Sequence, residues 1–434
     1  MSIEDLSTSF LGIIGLPQPV PLLHFLDRGF HVMQCRTGNI ARNFNYVRSW
    51  SGREVWDFNL CGAASETSPE LVKLKAIAEA AERYASSVIL PGEYRIACAD
   101  ELGDEVFDWR GLPRLSEEEK NLPAQWLHDF DPAAPMRWIG ALDVQRRRTV
   151  LVPVVLSQLY PRAWTSERFW LPISTGVAVH TDIYKAMTGA ILEVIERDAL
   201  AVNWLLQRPL RRLRFDAAVL ERLGPVIAQM VQATDIRLYE ATTDLGIPIV
   251  YARRFRPSHE KVANVVACAC DFSPLNAVRK AISELVMISN ALEQTDHRPP
   301  ADKLYCETLL DGATYMMRPE MAGAFGFLDA GGELDLREWA GPDLPAEDSE
   351  ARFDALVATV AAAGKNLYLT ELTCDELEDV GLRAFRAILP ELMPMSFMHR
   401  ARFLGSARLE EFQRWLGRDG DIRNFLNPDP QPFA

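Results

Sequence analysis

Two short stretches of this chain, EAAERYA and EVIERDA, place the same residues in the same order: Glu79, Glu82 and Arg83 in the first, Glu193, Glu196 and Arg197 in the second. Residues three and four apart share one face of an α-helix, so each stretch would present two carboxylates and a guanidinium together. A single triplet of this kind describes an exposed Glu→Arg pair worth about 0.3–0.5 kcal/mol. Here the triplet recurs, with an alanine after it each time. Its neighbours are apolar: Ala78, Ala80 and Ala81 in one stretch, Leu192, Val194 and Ile195 in the other. Acidic pairs in such company are expected to be half buried, and buried carboxylates need cations.

A hard divalent cation answers that need. Mg²⁺ takes oxygen ligands, commonly one or two carboxylates completed by water and phosphate oxygens. The arginine beside each pair has the planar fork that grips phosphate. Two such helices face to face would hold a Mg–nucleotide without a Walker loop. Indeed the chain has no G-x-x-x-x-G-K-[ST], and no G-x-G-x-x-G after a strand. Spacing alone also allows a two-metal hydrolase.

The elements that must carry these residues are legible in outline. A 3.6-residue apolar period predicts helices over 71–88 and 182–205, the second started by Asp182. Pro274, with Ser273 as cap, opens a third helix over 276–292. Shorter helices are expected over 217–232 and 350–363. Strand-like runs occupy 149–157, 247–255, 261–269 and 366–372. Strands and helices mix without strict alternation, which gives an α+β (mixed α/β) fold.

With 434 residues, 48% hydrophobic and 24% charged, the chain has ordinary globular composition and ample length for a core. Its net charge of −14 repels phosphate backbones, so nucleic acid is not the expected partner. The seven cysteines include no C-x-x-C and suit a reducing compartment. Cys268 and Cys270, in an apolar run, read as small buried residues. The first residues are acidic where a signal peptide is basic, and no apolar run is long enough to span a membrane. A cytoplasmic protein is expected.

The words around the second triplet, STGVAVHTDIYKAMTGAILEVIERDALAVNW, resemble the signature of YcaO-domain proteins. LKAIAEAAERYAS resembles their first motif. LYEATTDLGIPIVYA and CDFSPLNAVRKAISEL resemble the following segment and the third motif. LYLTELTCDELEDVGLRAFRAILPELMPM and LNPDPQPFA resemble the C-terminal part of azoline-forming cyclodehydratases. The resemblance runs from about residue 55 onward. It divides the chain into an N-terminal segment, 1–54, and a YcaO domain, 55–434, ending in a P-x-P-x-P tail.

That resemblance implies a YcaO fold with Mg–ATP held between the two E-x-x-E-R helices. Glu79, Glu82, Glu193 and Glu196 would hold Mg²⁺. Arg83 and Arg197 would contact phosphates, with Ser174, Thr175, Lys75 and Glu284 as further nucleotide contacts. The implied reaction converts Cys, Ser or Thr of a ribosomal precursor peptide to thiazoline or oxazoline. Implied partners are that peptide, an E1-like protein that binds its leader, and an FMN dehydrogenase that makes azoles, in a hetero-oligomeric or dimeric complex. The region before residue 55 is short for a fused E1-like domain, so a separate partner is expected.

Three departures stand out. Lys75 occupies a place where the family has a small residue, and reads either as a phosphate contact or as a solvated helix residue. Met287 stands where the third motif, E-x-x-Q after Glu284, has glutamine. The chain ends PQPFA where many relatives end P-H-P-F-P, so Ala434 supplies the terminal carboxylate expected near the chemistry. His180, ahead of the second triplet, reads as a base or as a satisfied loop histidine; His399 reads as a packing residue. The alternatives to azoline formation are another YcaO reaction, thioamide or amidine formation, and a catalytically weak scaffold subunit.

Overall fold

In the computed structural model the described residues are 2–8, 12–38, 61–89, 92–159, 163–339, 341 and 348–433. The boundary at 54/55 and Ala434 lie outside them.

Three sheets and three long helices position the site. The first sheet is an antiparallel meander of β1 (Gln18–Pro19), β2 (His31–Arg36) and β3 (Cys61–Glu66). Helix α1 (Pro69–Ala85) follows at once and packs back on β3 and β2. Its start is written in the sequence: Ser68 caps the Leu71 amide and Pro69 needs no hydrogen-bond acceptor. Its alanines, Ala76, Ala80 and Ala81, are fully buried and let the helix lie close on the sheet.

The second sheet holds six strands: β4 (Arg95–Ala97), β5 (Met136–Asp143), β6 (Arg148–Pro153), β7 (Val177–His180), β13 (Tyr368–Glu371) and β14 (Arg383–Ile388). Their order is β4-β5-β13-β14-β7, with β6 also on β5, and every pair is antiparallel. The third sheet contains β8 (Arg211–Arg214), β9 (Ile236–Glu240), β10 (Ile249–Phe255), β11 (Asn264–Cys270) and β12 (Glu333–Asp335) in the order β11-β10-β9-β8-β12. Only β12–β8 is parallel there.

Helix α2 (Ile183–Leu205) lies against β14 and β7 on one side and against β11 on another. Its side chains are buried nearly all round, as a helix between two layers must be. The Asp182 carboxylate caps the Lys185 amide, as its sequence position predicts. Asp198, two residues past Glu196, is fully buried and receives a two-pronged salt bridge from Arg408, with its shortest contact 2.7 Å. Losing one partner of such a pair costs about 3–5 kcal/mol.

Helix α3 (Pro274–Gln294) covers the third sheet through β11 and β10. Ser273 stands at its N-cap, but its hydroxyl makes no capping bond; here the proline, not the cap, defines the start. The mixed α/β expectation holds. Two details differ. The run 149–157 is strand only to Pro153 and then turns into a short helix, Val154–Ser157. The helix expected over 217–232 is two, Ala217–Leu223 and Pro225–Val231, broken where Gly224 meets Pro225.

Candidate active site

Helices α1 and α2 bring their acidic faces to one cleft, and a backbone amide anchors each of the four glutamates. The Ala63 amide of β3 donates to Glu79 Oε2 at 2.9 Å. The Val179 amide of β7 donates to Glu82 Oε1 at 3.2 Å. Gly176 N–H donates to Glu193 Oε2 at 2.9 Å, and Cys270 N–H, at the end of β11, donates to Glu196 Oε2 at 2.8 Å. Gly176 is needed there. Its φ is +84°, and a Cβ would sit 2.7 Å from the Ala387 carbonyl oxygen and from a Val194 methyl.

The arginines complete each triplet as helical spacing predicts. Arg83 donates to Glu79 Oε1 at 2.9 Å. Arg197 stands 3.8 Å from Glu193 and 3.4 Å from Glu196. These side chains keep 10–31% of their surface exposed, so they line a cleft and are not sealed in the core.

Electrostatics shows that the two helices share one site. Burial, then the Glu79 carboxylate, pushes Glu82 far above the usual carboxylate range, and Glu193 on α2 adds to it. Burial also raises Glu79 and Glu196, each against a neighbouring arginine. Glu284 of α3 joins them: burial and the Glu196 charge push it up to about 8. Arg197 feels Glu196, Glu193 and Glu284 strongly enough to stay firmly charged despite its burial. The thiols of Cys268 and Cys270 are driven well up by burial, with Glu196 adding to it, and remain neutral packing groups.

Sequence reasoning missed Arg386 on β14. It is 3% exposed, donates to the Ile173 carbonyl at 2.7 Å, and has no partner for its Nε among the described residues. Burial brings it down to about 10 although Glu193 favours its charge. The available signal was the second of two arginines in the strand run LRAFRAIL, on the face opposite Arg383. Thr175 and Arg386 line a common small cavity with Trp170, whose indole N–H also has no partner among the described residues. Ser174 accepts from the Val177 amide in the turn before β7.

Other predicted residues stand apart. Lys75 is 47% exposed and pairs with Glu66. His180 Nδ1 accepts from the Asp182 amide at 2.8 Å, so this nitrogen closes the turn ahead of α2. His399 is half-buried and held down to about 3 by desolvation, then by Arg402.

The tail reaches the same core. Phe433 is 2% exposed and meets Tyr251 edge-on, ring centroids 5.3 Å apart. Tyr251 on β10 pairs in register with Cys268 on β11, two residues from the amide that holds Glu196.

This arrangement fits a divalent cation and phosphate. Five carboxyls, those of Glu79, Glu82, Glu193, Glu196 and Glu284, face the guanidiniums of Arg83, Arg197 and Arg386. The negative excess is what a cation would relieve. Among the described residues no three His, Cys, Asp or Glu side chains form a ready-made metal cage. A Mg²⁺ held by one or two carboxylates, with phosphate and water completing its shell, needs none.

Comparison with known proteins places the fold. A heterocyclase solved with substrate and cofactor superposes with a TM-score of 0.76 at 17% identity, over 99% of this chain and 56% of that one. The heterocyclase TruD gives 0.63 at 18%, over 96% and 56%. The YcaO protein of Methanopyrus kandleri bound with AMPPCP and Mg²⁺ gives 0.60 at 17%, over 86% of both chains. This chain thus spans a little over half the length of the two heterocyclases. No curated protein matches its sequence. No helix is long and apolar enough to cross a membrane among the described residues. Residues 65–393 match the family described as YcaO cyclodehydratase, ATP- and Mg²⁺-binding, and the chain belongs to that family.

Proposed function

We propose that the chain is an ATP-dependent cyclodehydratase that converts Cys, Ser or Thr of a ribosomal precursor peptide to thiazoline or oxazoline. The observation that carries this reading is the seating of the tail: Phe433 enters the core beside the strand that anchors Glu196. A P-x-P-x-P tail packed on the strand next to the one that anchors Glu196 suits azoline formation better than thioamide or amidine formation.

In this reading Glu79, Glu82, Glu193 and Glu196 hold Mg²⁺, which neutralises phosphate charge when bound. Arg83, Arg197 and Arg386 orient the polyphosphate, and Glu284 closes the third side. The thiol or hydroxyl of the peptide attacks the preceding amide carbon, and its proton is lost. The oxyanion so formed takes the γ-phosphoryl group as the bond to ADP breaks. Loss of phosphate from carbon and of the amide proton then makes the C=N bond. Positioning and charge neutralisation carry such transfers, and the cleft offers both. Lys75, tied to Glu66, takes no part, and His180 supports the turn before α2.

The expected partners are the precursor peptide, an E1-like protein that binds its leader, and an FMN dehydrogenase that oxidises azolines. One chain of the E. coli microcin synthetase McbBCD complex with pro-MccB17 bound superposes with a TM-score of 0.59, at 13% identity, over 99% of this chain and 98% of that one.

A second reading, a scaffold subunit with a weakened site, draws on Met287, which packs toward the apolar core on α3. One experiment separates the two. The chain is combined with the proteins of its gene neighbourhood, a Cys/Ser/Thr-rich precursor and Mg–ATP, and the peptide is weighed. Loss of one water per modified residue is expected. An unchanged peptide, with ATP turnover insensitive to Glu196→Gln, would sink the enzymatic reading.

A further inference from the structure

The tail is tied down well before it reaches Phe433. Lys303 Nζ lies 2.9 Å from Asp429 Oδ1, and this ion pair is largely shielded, with 34% and 17% of the two side chains exposed. The backbone of Asp429 is held too: its carbonyl accepts from Trp204 Nε1 at 3.3 Å, and its amide donates to Asn427 Oδ1 at 3.0 Å. Asn427 in turn donates its amide to the Leu205 carbonyl at the end of α2, 2.7 Å away, and Arg402 donates to its carbonyl at 2.6 Å. Trp204 and Leu205 close the helix that carries Glu193 and Glu196.

Between Asp429 and Phe433 come Pro430, Gln431 and Pro432. Two prolines stiffen this spacer, and an extended chain advances about 3.1 Å per residue, so the span is roughly 12 Å. Its midpoint runs through a slot cut by Gly312. A Cβ there would stand 2.4 Å from the Gln431 carbonyl oxygen.

We propose that Lys303 and Asp429 form the latch that sets the register of the tail, the stiff spacer carrying that register past Gly312 so that Phe433 lands on Tyr251. Both are positioning residues for the reaction proposed above, and their role in it rests on that reading. The latch hangs from the C-terminal end of α2. One helix therefore fixes both the acidic pair and the tail, and the distance between them is set within a single element.

The test is a double-mutant cycle, Lys303→Met and Asp429→Asn singly and together, in the chain assembled with its partner proteins. Hydrogen exchange at the Gln431 and Phe433 amides reads tail seating without reference to activity. Each single variant should speed this exchange about tenfold, and the double should be no worse than the worse single, because both remove one interaction. Gly312→Ala should loosen the same amides with no charge altered. In the activity assay kcat should fall with tail seating while KM for ATP holds. Unchanged exchange in the single variants, or effects that simply add, would overturn the latch. Faster exchange with undiminished product would uphold it and remove the tail from the chemistry.

Discussion

The Val179 amide and the Glu82 carboxylate are 97 residues apart in sequence and 3.2 Å apart in space. That bond ties α1 to the strand that leads into α2. It makes the two acidic helices a single device, and their shared electrostatics sets most of what can be tested.

Replacing Glu196 by Gln removes one charge from the crowded carboxyls and leaves an amide of the same shape. ATP turnover should fall about 100-fold or more, the scale seen when one preorganised electrostatic group is lost. Without ligand, the variant should melt no lower than the parent, because desolvation and the Glu193 charge already oppose ionised Glu196. Thermal melts with and without Mg–ATP check both. A large ligand-induced rise in the parent should be absent in the variant.

The unliganded protein should lose stability as pH rises. Glu284 ionises near its ordinary value of 4.5 when unfolded and at about 8 when folded. The unfolded chain therefore releases this proton first. Its contribution to stability is full below about 4.5 and is lost progressively up to about 8. Urea melts at pH 6 and pH 8 should show the higher midpoint at pH 6. Glu284→Gln should flatten the difference, and Glu82, raised in the same sense, should account for part of what remains.

Arg386→Met should weaken ATP binding by about tenfold, the loss of one charge-assisted phosphate contact. Arg386→Lys should recover little, since a point charge cannot replace the fork that also holds the Ile173 carbonyl. Isothermal titration with a non-hydrolysable nucleotide measures it directly.

Lys75→Ala should leave KM for ATP within about twofold and stability within about 1 kcal/mol, as for an exposed ion pair. Steady-state kinetics decides it; a tenfold rise in KM would return Lys75 to the site.

The helices were the most legible part of the sequence. The range 182–205 becomes Ile183–Leu205, and 276–292 becomes Pro274–Gln294, because strong apolar periodicity and an Asp or Pro start define them. The pairing of Glu79 with Arg83 followed from helical spacing alone. What spacing could not convey is the opposite half of each contact. Ala63, Gly176, Val179 and Cys270 act through their amides, and a main-chain donor leaves no mark on residue type. Arg386 escaped because one buried arginine in a strand resembles many structural ones until its neighbours are known. The break at Gly224–Pro225 was written in the residues, yet the apolar period ran across it.

The amide anchors also bear on how this site tolerates change. A side-chain partner can be lost to any unfavourable substitution, whereas a backbone N–H survives nearly all of them. Ala63, Val179 and Cys270 can exchange for residues that fit their packing with the hydrogen bonds to the glutamates retained, proline excepted. Gly176 has no such latitude, since the Ala387 carbonyl and Val194 leave no room for a side chain. Sequence drift in this chain should therefore spare the carboxylates and that one glycine, while the other three anchors change within what their packing allows.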